Sequence, residues 1–216
     1  MRLRILMTLF AACFAVTALA DDLAKRFAEP PDSARPGVYW YFMDGNLSRE
    51  GMTGAGIQMF SHGVMTALFF AAVGMIYDRA HTRQIPELGG MIKPLPWVGI
   101  AFIIGSLVSM GMPGFSGFVA EFPIFMGVWQ TNSLAAIIAS LSIVITAAYV
   151  LLAVRRAFFG DVPAQLEGHI SPISVLDKVA LVTLCLIMIA LGVFPNLMVP
   201  MVSQGVESVL RLLGGA

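Results

Sequence analysis

The sequence predicts an all-α membrane protein of about four transmembrane helices, the second one broken, behind a signal peptide and a short irregular polar segment. Three observations carry this expectation. Four apolar runs, at about 55–77, 97–128, 133–154 and 179–201, are each long enough to cross a bilayer as a helix. Lys and Arg avoid those runs and collect in alternate connections. Hydrophobic residues make up 58% of the chain and charged residues 12%, against about 45–50% and about 25% in soluble domains. The mean hydropathy is +0.84. The formal net charge is zero, which argues against a nucleic-acid partner. Cys13 and Cys185 lie far apart in apolar runs and offer neither a metal-ligand spacing nor a plausible disulfide pair.

The first element is a targeting signal, expected over residues 1–20. Arg2 and Arg4 precede an apolar run, and Ala18-Leu19-Ala20 stands before Asp21-Asp22. That is the order of a secretory leader with an A-x-A cleavage site. The run is short for a span, which needs about 20 apolar residues. An uncleaved anchor is the alternative, and a lipoprotein site at Cys13 has too little apolar sequence before it. Cleavage would start the mature chain near Asp21, on the outer side of the membrane.

Residues 21–53 change character and are rich in Pro, charge and aromatics. Pro30-Pro31 and Pro36 forbid a helix there, and Asp44-Gly45-Asn46 reads as a turn. Such a segment is too small to bury a core of its own. Within it, FAEPPDSARPGVYWYFMDGNLSREGMT (27–53) resembles the mature start of secreted α-L-rhamnosidase-type glycoside hydrolases. That resemblance implies a large barrel enzyme with catalytic carboxylates, which nothing downstream is expected to form. Glu29, Asp32, Asp44 and Glu50 therefore read as solvated charges, because a glycosidase pair needs a rigid scaffold holding two carboxyls about 5–10 Å apart.

From Gly54 onward the chain is expected to form one membrane domain, residues 54–216. The connection 78–96 holds Arg79, Arg83 and Lys93, and the connection 155–178 holds Arg155, Arg156 and Lys178. The turn at Gln130-Thr131-Asn132 has no basic residue. The positive-inside rule places the two basic connections in the cytoplasm, and the turn and both termini outside. Trp97 and Trp129 fall at opposite ends of the second run, as interfacial aromatics do.

That second run is too long for a straight crossing. Its 32 residues would make a helix of about 48 Å against a hydrocarbon core of about 30 Å. GMPGFSGFVAEF, residues 111–122, supplies a break. Pro113 removes a backbone donor, and Gly111 and Gly114 relax the dihedral limits. Irregular backbone at membrane depth survives when buried in protein or lining a hydrated cavity. Glu121 is the only acidic residue within the spans, and an intramembrane carboxyl is a functional candidate. The competing reading is a carboxylate near the interface that only snorkels. On the first span, Gln58 and His62 share a face at a four-residue spacing, with Ser61 displaced from it. His62 is either a proton relay or a helix-packing hydrogen-bonder.

Residues 54–216 resemble the C-terminal part of subunit M of proton-translocating NADH:quinone oxidoreductase, respiratory complex I. The segments that carry the likeness are GAGIQMFSHG, ALFFAAVGMIYDRAHTR, ELGGM, GMPGFSGFVAEF and VRRAFFG, in that order. The resemblance implies a role in a proton path for Glu121 and His62. Ser61, Ser116 and Tyr149 are weaker candidates; Ser116 and Tyr149 are able to hydrogen-bond water there, but also to satisfy freed backbone or simply to pack. The family's earlier helices, with their lysines and glutamate, have no counterpart, and Lys25, Lys93 and Lys178 all lie outside the spans. The chain alone is therefore not expected to pump protons. A fusion near Thr53–Gly54 is expected between a glycosidase start and this membrane portion.

The resemblance further implies other membrane subunits, protons and the lipid bilayer as partners, in the inner membrane of a bacterium. No cofactor is expected in this chain: NADH, flavin, iron–sulfur clusters and quinone belong to other subunits. No G-x-G-x-x-G follows a strand, and there is no cysteine cluster.

Overall fold

The computed structural model describes residues 48–212. The signal peptide expected over 1–20, and the polar segment as far as residue 47, lie outside the described residues. Those described fold into six α-helices: α1 (Arg49–Ala80), α2 (Pro96–Ser109), α3 (Ser116–Thr131), α4 (Ser133–Phe158), α5 (Val175–Val193) and α6 (Val199–Leu212). No strand occurs among them. This is the all-α membrane architecture the sequence predicts. Three helices, α1, α4 and α5, are long and apolar enough to cross a membrane. α2 is a shorter apolar helix, and with α3 it makes up the broken second run.

α1 begins earlier than the apolar run suggests. Ser48 caps it by accepting a hydrogen bond from the Gly51 N–H at 3.0 Å. Glu50 sits in the first turn, where a carboxylate complements the helix dipole. Thr53 Oγ1 donates to the Arg49 carbonyl at 2.8 Å. Residues 49–53, assigned above to the polar segment, are thus the opening of the helix, which runs unbroken across Thr53–Gly54.

Contacts along α1 order the rest. Gly105 of α2 lies against Leu68 and Phe69; Ser116 of α3 meets Ser61; Ala120 and Ile124 lie against Gly54; Gly127 lies against Gly51. As numbers fall on α1 they rise on its partners. The two half-helices therefore run end to end, antiparallel to α1, and together match its length of about 48 Å.

Asn132 ends α3 and caps α4, its side chain accepting from the Ala135 N–H at 3.0 Å. α4 returns to the far end, where the N–H groups of Gly90, Met91 and Ile92 donate to the carbonyls of Phe159, Ala157 and Phe158. A reciprocal capping box of Ser174 and Asp177 starts α5. α5 runs back to the break, where Gly192 packs on Gly114 and Phe115.

The core sits at the end opposite the α3–α4 turn. Leu68, Ala72 and Ile76 from α1 join Met91, Leu95, Val98, Phe158, Leu181 and Met188, all buried. Phe102 bridges Phe69 and Phe158, with ring centroids 4.8 and 5.0 Å away. Much of α4 instead faces outward with Leu134, Ile137, Ile138, Leu141, Val144 and Ile145 exposed. A helix apolar on all sides suits lipid, not water.

A second boundary also differs from the sequence expectation. The fourth span, expected over 179–201, ends at Val193; a single 3-10 turn (Pro195–Leu197) follows, then α6. Hydropathy averages over the prolines, but Pro195 has no N–H to continue the ladder and Pro200 suits the start of a new helix. α6 lies beside the start of α1: Val202 touches Gly56, and Arg49 pairs with Glu207.

The α1–α3 contact generates a stability prediction. A Cβ on Gly54 would stand 2.6 Å from the Ala120 carbonyl oxygen and 2.9 Å from an Ile124 side-chain carbon, whereas one on Gly63 meets nothing within 4 Å. Gly54→Leu is expected to destabilise the bundle by about 1–3 kcal/mol, as overpacking does. Gly63→Ala should leave stability unchanged or slightly raised. Denaturant unfolding of the purified chain in micelles measures both.

Candidate functional site

The site lies where α1 and α4 pass the break between α2 and α3. α2 ends at Ser109 and α3 starts at Ser116. In between, Gly111 adopts φ +63° and Gly114 φ +93°, left-handed values that a side chain would penalise. Freed backbone groups are partly satisfied locally: Met112 N–H donates to the Leu107 carbonyl, and Phe115 N–H to the Met112 carbonyl. The break falls on the three residues singled out from the sequence, Gly111, Pro113 and Gly114.

Glu121 stands one and a half turns into α3, half-buried. Its Oε1 accepts from Gln58 Nε2 of α1 at 3.4 Å. Its Oε2 reaches back to the break, so that a Cβ on Gly111 would stand 2.6 Å from it. Gly111 is therefore required twice, for its dihedral and for the space the carboxyl fills. Pro123 lies inside α3 two residues on, and its missing N–H leaves the Val119 carbonyl without its helical donor.

Two cavities adjoin this carboxyl. The larger, about 590 Å³, is lined by Ser61, His62, Phe70, Tyr149 and neighbours; the smaller, about 190 Å³, by Ile124, Phe125, Ser142 and Ile143. Gln58, Ser109, Glu121 and Thr146 line both. The larger opens along α1 toward its C-terminal half, and the smaller lies toward the α3–α4 turn. Both are roomy enough for several waters at roughly 30 Å³ each.

The other sequence candidates fall around Glu121 at different depths. Ser61 and Ser116 are buried and hydrogen-bond each other, Oγ to Oγ, at 2.8 Å beside the break. His62 is exposed at the rim of the larger cavity, with Nδ1 3.3 Å from Thr66 Oγ1. Tyr149 lines the same cavity from α4 and is also exposed. Of the four residues that line both cavities, three were not singled out for this place: Gln58 as the partner of Glu121, Ser109 and Thr146. Gln58 carried a signal in its four-residue spacing from His62. Thr146, three residues before Tyr149 on one helical face, is inconspicuous in a run apolar on both sides.

Residues 39–146, half of the chain, match the family described as NADH:quinone oxidoreductase/Mrp antiporter, TM. The chain belongs to this family. The match takes in α1, the break, α3 and the first half of α4, and reaches back into the polar segment. NADH-quinone oxidoreductase subunit M of Rhodobacter capsulatus is 34% identical over 164 residues, which is 76% of this chain and 32% of that protein. The subunit M of Rickettsia conorii is 32% identical over 165 residues, 76% of this chain and 34% of that one. The chain thus spans about a third of the length of these relatives.

Among solved structures, a chain of respiratory complex I from Thermus thermophilus with bound NADH superposes with a TM-score of 0.68 at 25% identity, covering 77% of this chain and 36% of that one. A chain of the Mrp complex from Dietzia sp. DQ12-45-1b shares the fold, with a TM-score of 0.67 at 21% identity, covering 74% and 38%.

The buried serine pair gives a direct check on this site. Ser61→Ala or Ser116→Ala alone leaves the other hydroxyl buried without its partner and should cost about 1–3 kcal/mol. The double variant should cost clearly less than the sum, because it removes both groups. A double-mutant cycle of unfolding free energies in micelles measures the difference.

Proposed function

We propose that this chain contributes the late part of a proton path in a proton-translocating membrane subunit of an NADH:quinone oxidoreductase. One observation carries the reading: the Glu121 carboxyl, on the broken helix, borders two cavities that lie on opposite sides of it along the bundle. For such a carboxyl, burial and hydrogen bonds to its charged form act in opposite directions on proton affinity, so a small rearrangement loads or releases a proton. Glu121 takes the proton from the larger cavity and passes it to the smaller. His62 and Tyr149 serve the first as rim groups, and Ser61 and Ser116 hold the break. Other membrane subunits of the complex are the partners, and NADH, flavin, iron–sulfur clusters and quinone belong to subunits other than this chain.

The reading includes the bacterial inner membrane, with both termini outside. The gathering of Arg79, Arg83, Lys93, Arg155, Arg156 and Lys178 at one end of the bundle supports it. It also takes residues 1–20 as an export signal and 27–53 as glycosidase-like in origin.

Glu121→Gln is expected to lower proton flux per NADH oxidised by roughly tenfold or more, the size of losing a proton-transfer group. Glu121→Asp should retain part of it. Fluorescent pH-gradient assays on inverted membrane vesicles read this, and unchanged flux in Glu121→Gln sinks the proposal. Orientation has its own check: a cysteine replacing Lys93 should react with an impermeant thiol reagent only from the cytoplasmic side, and one replacing Gln130 only from outside.

A further inference from the structure

Gln58 faces Glu121 across the α1–α3 contact and, like it, lines both cavities. Its Nε2 donates to Glu121 Oε1 at 3.4 Å, the long end of the hydrogen-bond range. Its own Oε1 is buried and, among the described residues, has no hydrogen-bond partner. No ion pair to Glu121 forms among the described residues. The other titratable side chains lining the cavities are His62 from α1 and Tyr149 from α4, and α5 contributes none.

A carboxyl that changes charge needs a partner for both of its forms. Its carboxylate only accepts hydrogen bonds, whereas its acid form also donates one. Lys and Arg can only donate. A side-chain amide can do either, because its NH₂ and its oxygen exchange places on a half-turn of the last torsion. The orphaned Oε1 is the second half of that repertoire, and it lacks a donor only while the NH₂ is turned to Glu121.

We propose that Gln58 is a positioning residue that follows the charge state of Glu121, donating to the carboxylate through Nε2 and, after an amide half-turn, accepting from the carboxylic acid through Oε1. The inference rests on the proton-path reading of Glu121. With Gln58 bonded in both states, the α1–α3 contact stays closed, and the two cavities communicate through the carboxyl instead of past it. No covalent bond is made or broken beyond the O–H that Glu121 gains and loses, with the proton coming from one cavity and leaving to the other.

Infrared difference spectroscopy tests this on the full chain in lipid vesicles, with a pH step as trigger and glutamine labelled with carbon-13 at its side-chain carbonyl. The acid C=O band of Glu121 is assigned by its loss in Glu121→Gln. In the unsubstituted chain a labelled glutamine band should shift together with the acid band, and both should vanish in Glu121→Gln. In Gln58→Met, of similar length without the amide, both the carboxylate and the acid bands of Glu121 should shift. An unmoved acid band in Gln58→Met, or a glutamine band that ignores the pH step, overturns the proposal. The labelled unsubstituted chain decides the matter even if Gln58→Met does not fold. Unchanged proton flux in Glu121→Gln, with the two bands still coupled, would instead sink the proton-path reading and leave the Gln58 assignment standing.

Discussion

The near-contact of two backbones, α1 and α3, is the constraint on which the rest of the bundle depends. Gly51 and Gly54 on one helix meet Ala120, Ile124 and Gly127 on the other. Helices in lipid gain little from hydrophobic association with each other, so close van der Waals packing and interhelical hydrogen bonds must hold them. Small residues permit that packing, and the Ser61–Ser116 and Gln58–Glu121 pairs supply the bonds. Moving α3 away by a methyl group's width would separate both pairs together.

The break in the second run follows from the same packing. A continuous helix could satisfy its own backbone, yet it could not bring Glu121 Oε2 against the turn at Gly111. The interruption leaves carbonyls and N–H groups that lipid cannot serve. α1 covers it from one side through Ser61, and α5 from another, where Gly192 lies so close to Gly114 that no side chain fits between them. α5 thus does more than complete the bundle: it seals irregular backbone away from hydrocarbon.

Much of this arrangement was legible in the sequence. The helical spans follow from apolar runs, and the break from Gly111, Pro113 and Gly114 inside a run too long to be straight. Glu121 stood out because carboxyls are costly in apolar surroundings. What hydropathy could not supply was pairing. Gln58 is an ordinary polar residue until α3 lies across from it, and Thr146 until α4 does. α6 escaped notice because its apolar residues merge with the preceding run; only the prolines mark the corner, and an averaged scale discounts them. The opening turn of α1 was missed because Arg49 and Glu50 look solvated, while the Ser48 cap and the helix dipole make those charges suitable for a helix start.

The unequal lengths of α1 and α5 carry a mechanical consequence. α5, with 19 residues, extends about 28 Å, close to the hydrocarbon thickness of a bilayer, whereas the 32 residues of α1 exceed it by nearly 20 Å. α1 cannot tilt freely to absorb that excess, because it is packed along α2, α3 and α5. Its surplus at the Arg49 end is matched instead by the corner at Pro195, which turns α6 alongside it. The chain therefore has one face of bilayer height and another that stands taller. Lipids around it meet a stepped boundary, and membranes that differ in thickness will press unequally on its two sides.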